Sequence, residues 1–181
     1  MIRFVTDLAD QAVILPTVVL IAIWLALAEP RRTVVAWVVC CGAVLGTIGL
    51  LKLGLPCTSL AHVLRSPSGH TASAVLVAGG LLVLLAGPGR WRRVTAVAAG
   101  IAVGAGIGAT RLALHMHTVP EVLAGAAVGA IGLILFARTD LPRPRLPPVS
   151  LLAAFLVLAI ALHGTRLRAE QWITTLSCPL R

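Results

Sequence analysis

The chain has 181 residues, of which 59% are hydrophobic and 12% charged, and its mean hydropathy is strongly positive. A soluble core is excluded, because apolar runs near the length that crosses a roughly 30 Å hydrocarbon layer recur along the sequence. The net charge of +9, from 15 basic and 6 acidic residues, would suggest nucleic acid in a soluble protein; here most arginines fall in short loops, where topology and anionic headgroups account for them, so no nucleic-acid partner is expected.

Asp7 and Asp10 stand where a cleaved secretion signal would carry basic residues, so the first spanning helix, residues 12–28, is expected to be retained. Pro16 falls one turn in, where its missing donor is tolerated. Glu29-Pro30-Arg31-Arg32 closes that helix, and a second runs over residues 33–51 with Gly42, Gly46 and Gly49 as a small-residue face for close packing. Lys52, the one lysine, follows at its end.

Residues 53–66 are too short and too broken by Gly54 and Pro56 to cross a membrane, and they read as an interfacial loop with a short helix near 59–64. Pro67 suits the first turn of a third helix capped by Ser66 and running to Ala86. A basic turn with Trp91 leads to a fourth helix, residues 94–112, whose row of Gly100, Gly104 and Gly108 predicts an interior position. A short link leads to a fifth helix, with Pro120 in its first turn and its end near Ala137. A shorter sixth helix covers residues 149–163, and the tail to Arg181 carries no pattern.

The fold expected is therefore all-α: a polytopic membrane protein with a six-transmembrane-helix bundle, forming one domain over residues 1–181. Three loops are basic: Arg31 and Arg32; Arg90, Arg92 and Arg93; Arg138, Arg143 and Arg145. With six spans all three share one side, which the positive-inside rule makes cytoplasmic, so the remaining loops and both termini face outward. Arginine in place of lysine, abundant Ala, Val, Leu and Gly, and no Tyr suggest a GC-rich bacterial genome, hence a bacterial cytoplasmic membrane. The four cysteines have no metal spacing; Cys40 and Cys41 read as buried hydrophobes, and Cys57 could pair with Cys178 in an oxidising compartment.

Two polar stretches facing outward are not explained by burial. In Ser66-Pro67-Ser68-Gly69-His70, a helix start offers backbone donors and a positive dipole end, Gly69 lets an anion approach, and Ser68 adds a hydroxyl. His70, just inside, suits general acid catalysis near neutral pH. In the second stretch, Thr110-Arg111 is followed by His117 and Glu121, whose i, i+4 spacing brings a carboxylate to an imidazole and leaves the other ring nitrogen to attack phosphorus. The bland reading of Thr118-Val119-Pro120-Glu121 is a capping box, which is compatible with the first. Arg111 and Arg65 could each be interfacial anchors, His115 is the rival to His117, and His62 and His163 read as interfacial.

These residues resemble the type 2 phosphatidic acid phosphatase superfamily, the lipid phosphatases related to vanadium haloperoxidases. Pro67-Ser68-Gly69-His70 matches its middle motif in full; Thr110-Arg111, five residues, His117, three residues and Glu121 match the last, with Thr for Ser and Glu for Asp. The first motif is represented by Lys52, but Ser59 stands where Arg is usual and no Arg-Pro follows; Arg65 is the candidate replacement. The resemblance covers about residues 52–125. It implies that His117 is the nucleophile, His70 the acid and Glu121 the residue orienting His117. Lys52, Arg65, Ser68, Gly69 and Arg111 would bind the substrate phosphate, without metal or cofactor. The implied partners are membrane lipids and a lipid phosphate or polyprenyl diphosphate substrate. A phosphotransferase on the same site and a catalytically weak lipid-binding relative are the alternatives.

Overall fold

The computed structural model describes residues 2–139, 145–165 and 167, and among the described residues every regular element is helical. The α-helices are α1 (Ile2–Asp7), α2 (Gln11–Ala28), α3 (Arg31–Gly54), α4 (Gly69–Ala86), α5 (Arg90–Ala113), α6 (Val119–Ala137) and α7 (Pro148–Leu162), with 3-10 turns at Leu55–Cys57 and Ser59–His62 between α3 and α4. Among the described residues five helices, α2 to α6, are long and apolar enough to cross a membrane. The expected sixth span is not of that kind: α7 has 15 residues, about 22 Å of helix at 1.5 Å per residue, short of a roughly 30 Å hydrocarbon layer. Arg143, Cys178 and Arg181 lie outside the described residues. Cys57 is disulfide-bonded, while Cys40 and Cys41 are buried free thiols.

Helix α4 is the axis of the bundle. Of its spanning stretch 72% is buried, against 28–39% for the other four, so protein surrounds it while its neighbours keep a face for lipid. Small residues make this possible, because apolar side chains gain little from association in a hydrocarbon solvent and close backbone approach becomes the main source of packing energy. A Cβ on Gly100 would strike the backbone of Gly79, and one on Gly104 would strike Val75. On α6, Gly125 lies against the Ser68 carbonyl and Gly129 against that of Ala72. The α5 glycine row therefore faces the interior as expected, and α6 approaches the start of α4 just as closely.

The α3 glycine row does the opposite. Gly42, Gly46 and Gly49 have nothing within 4 Å of a built Cβ, and the buried face of α3 is instead Thr33, Trp37, Cys40, Cys41, Val44, Ile48 and Lys52. The reason is complementarity. Gly80 makes room for the Trp37 ring and Gly132 for Val44, so large residues of α3 fill space left by glycines on α4 and α6. The Trp37 indole also donates to the Val18 carbonyl at 3.0 Å, which satisfies its polar edge in the interior.

Three boundaries differ from expectation. Helix α4 is capped by Ser68 rather than Ser66: its hydroxyl accepts from the Thr71 N–H at 3.4 Å and the Thr71 hydroxyl at 2.9 Å, and Pro67 stands outside the helix. Helix α3 continues past Lys52 to Gly54, so the lysine belongs to its last turn. Helix α5 starts at Arg90, taking the basic cluster into its first turn, where the Arg93 guanidinium donates to the Thr139 carbonyl at 3.2 Å. With the Arg145 N–H donating to the Ala28 carbonyl at 3.0 Å, the three basic loops meet at one end of the bundle. The ends carrying the polar motifs form the other.

Candidate active site

The start of α6 organises the site. Thr118 caps the helix, and Glu121 in its first turn returns Oε2 to the Thr118 N–H at 3.0 Å, so the expected capping box is present. The same oxygen lies 3.2 Å from Nδ1 of His117, so capping and imidazole pairing coexist in one carboxylate. Its other oxygen, Oε1, accepts from the Ser66 N–H at 2.8 Å, and the Glu121 carbonyl accepts from the Ser68 N–H at 2.9 Å. One residue thereby ties the loop before α4 to the link before α6.

The Glu121 pairing fixes the His117 ring. A carboxylate at Nδ1 favours the tautomer with the proton on that nitrogen, which makes Nε2 the nitrogen with a lone pair for attack. His117 is brought there by a tight reversal after α5. The His115 N–H donates to the Leu112 carbonyl and Met116 to that of Arg111, and His115 itself has a φ of +53, uncommon for a residue with a side chain. His115 is exposed, so its strain serves the turn and His117 is the histidine held by the carboxylate.

The α4 start is where the sequence places an anion cradle. Ser68 is fully buried and its cap serves the Thr71 N–H, while the Gly69 and His70 N–H groups make no hydrogen bond among the described residues and sit at the positive end of the dipole. Gly69 lies beside Lys52: a Cβ there would come 3.9 Å from the lysine Cε. Arg111 follows Gly108 by one turn on the α5 face that packs on α4, and it is 4% exposed. Lys52, Ser68, Gly69, Arg111, His117 and Glu121 thus gather at one end of the bundle, with His70 opening into it. Arg65 does not join them; it is exposed and makes no hydrogen bond or ion pair among the described residues. Thr110 turns its hydroxyl back onto the Ile107 carbonyl at 2.7 Å.

Two residues at this end are absent from the sequence motifs. Asp10, at the cap of α2, places Oδ2 3.7 Å from Nε2 of His70, and Gln11 donates to the Ser73 hydroxyl at 3.3 Å. Burial alone would push the Asp10 carboxyl up, but the pairing with His70 and the backbone N–H groups of Ala12 and Leu167 hold it below the usual carboxylate range. Nothing in the spacing could have shown this contact, because sixty residues of helix and loop separate the partners; the one available signal was the acidic pair Asp7 and Asp10 just before α2. His62 is exposed, and His163 stacks on Phe4 with ring centroids 4.0 Å apart, in keeping with interfacial roles.

A family model described as the PAP2 superfamily matches residues 52–145, which includes every site residue named from the sequence and excludes Asp10 and Gln11. No curated protein and no solved structure matches the chain.

Proposed function

We propose that this chain, which belongs to the PAP2 superfamily, is an integral membrane phosphatase that hydrolyses a lipid phosphate or lipid diphosphate through a phosphohistidine intermediate. Superfamily membership supports phosphatase chemistry, and the apolar helices support a membrane location. The observation that carries the mechanism is the 3.2 Å contact between His117 Nδ1 and Glu121 Oε2, in a carboxylate that also holds the loop leading into the α4 cradle.

In the proposed reaction the phosphate lies at the α4 start, against the Gly69 and His70 N–H groups and the Lys52 and Arg111 side chains. Nε2 of His117 attacks phosphorus, forming the P–N bond as the P–O bond to the lipid breaks, and His70 gives its proton to the leaving oxygen. The Nδ1 proton stays on the ring, supported by Glu121. Water then attacks phosphorus, neutral His70 takes its proton, the P–N bond breaks, and inorganic phosphate leaves. Charge on the transferring group is met by fixed donors that do not have to reorganise as the bond breaks. The basic loops meet at the opposite end of the bundle, which supports a site on the outer face of the cytoplasmic membrane.

The test is phosphate release from a panel of lipid phosphates by the detergent-purified protein and by His117→Ala. Loss of turnover in the variant is expected. Wild-type release by His117→Ala overturns the mechanism, and a phosphorylated lipid acceptor in place of free phosphate would make the chain a transferase.

A further inference from the structure

We infer that Asp10, which lies outside the family match, is a positioning residue for His70 and completes a second carboxylate–histidine pair in the site. The inference rests on the reading of His70 as the acid. At 3.7 Å the contact is too long for a hydrogen bond and is an ion pair only when the ring is protonated, so Asp10 acts by its charge and by confining the ring. Its own placement is fixed: Oδ1 accepts from the Ala12 N–H at 2.9 Å and the Leu167 N–H at 3.1 Å, which aims Oδ2 at the imidazole. The next residue, Gln11, is tied to Ser73, one turn beyond His70 on α4, so the start of α2 is anchored to the helix that carries the acid. Both side chains are largely shielded, at 15% exposure for His70 and 11% for Asp10, where charges interact more strongly than in water.

The arrangement divides the site by charge. The elements packed around His70 bring Lys52 from α3, Arg111 from α5, and His117 with Glu121 from the α6 end. A general acid must hold its proton until the leaving oxygen takes it. Asp10 sets a negative charge beside the ring that must hold it. The carboxyl stays ionised under the conditions in which this is useful, because its neighbours hold it below the usual range. Glu121 and Asp10 then act on the two histidines in parallel, one supporting the nucleophile and the other the acid.

The test uses Asp10→Asn, which removes the charge but keeps an effective helix cap. Two substrates are compared: a long-chain alkyl phosphate, whose alkoxide needs a proton, and p-nitrophenyl phosphate, whose phenolate leaves without one. Asp10→Asn is expected to lower kcat for the alkyl phosphate by about tenfold at pH 8 and to move the alkaline limb of its pH profile to lower pH. The rate with the aryl phosphate changes by less than about twofold, since general acid assistance contributes little there. Both the alkyl-to-aryl ratio and the position of the limb are independent of how much of the sample is folded. An unmoved limb with equal losses on both substrates overturns the inference and leaves Asp10 as a cap. His70→Ala is measured alongside: a selective loss on the alkyl phosphate upholds His70 as the acid, whereas full alkyl phosphatase activity overturns that reading and the inference with it.

Discussion

Glu121→Gln isolates what the carboxylate does, since the substitution keeps the shape and removes the charge. Three donors converge on the two oxygens: Ser66 N–H at 2.8 Å on Oε1, and Thr118 N–H at 3.0 Å and His117 Nδ1 at 3.2 Å on Oε2. An amide has one oxygen and one NH2, so one side of the group must present a donor to a donor. Turning the NH2 toward Ser66 loses one bond; turning it toward Thr118 and His117 loses two. With about 1.5–3 kcal/mol for each hydrogen bond to a charged group, the first orientation wins by roughly one bond. His117 then keeps its tautomer but loses the anion that stabilises its imidazolium. The expected stability loss is about 2 kcal/mol, a fall of roughly 4–8 °C in melting temperature for a chain of this size. Loss of anionic support should cost about a hundredfold in kcat, within the range that orienting carboxylates contribute elsewhere. Thermal unfolding in detergent and phosphate release from a lipid phosphate measure the two effects separately. A kcat within twofold of wild type would refute the role assigned to Glu121.

Packing makes a second prediction through paired glycines. Gly125→Ala drives a Cβ into the Ser68 backbone, which cannot move aside as a side chain could, and should cost about 1–3 kcal/mol and reduce activity as the cradle shifts; Gly46→Ala meets nothing within 4 Å and should change melting temperature and turnover little. Equal effects from the two variants would contradict the assignment of α3's glycines to the outer face. At the opposite end, Glu29 is buried, its Oε2 has no hydrogen-bond partner among the described residues, and burial pushes its carboxyl above the usual range. Since the folded state then holds its proton to higher pH than the unfolded state, stability falls as pH rises from about 4.5 through the raised value. Glu29→Gln should remove that part of the decline, which a melting series across pH 4–8 would show.

The sequence carried the local chemistry well, because the features that define it are short in chain length. A four-residue spacing is enough to put Glu121 against His117, and Thr118 followed three residues later by Glu is enough to predict the capping box; the structure contains both. What was not legible depended on which faces meet. Ser66 read as the cap of α4, but Ser68 takes that place, and the Ser66 N–H is held instead by Glu121, fifty-five residues away. The glycine rows of α3 and α5 looked equivalent, yet only the second lies against a helix, because Trp37 and Val44 find glycine-made space on other helices. Asp10 was invisible as a site residue for the same reason: its partner is defined by tertiary packing alone.

Glu121 stands where the resembled motif has aspartate, and its longer arm is put to use in the structure. With Oε2 placed between the Thr118 N–H and His117, Oε1 reaches across to the Ser66 N–H. An aspartate on the same backbone has an arm shorter by one methylene, about 1.5 Å, so it could not keep all three contacts unless α6 moved toward the loop. Such movement is limited, since Gly125 already brings α6 against the Ser68 backbone. The longer side chain thus makes the orientation of His117 and the position of the α4 start two consequences of one carboxylate. Any displacement of the loop before α4 must then be felt at His117, so the two halves of the site move as a unit.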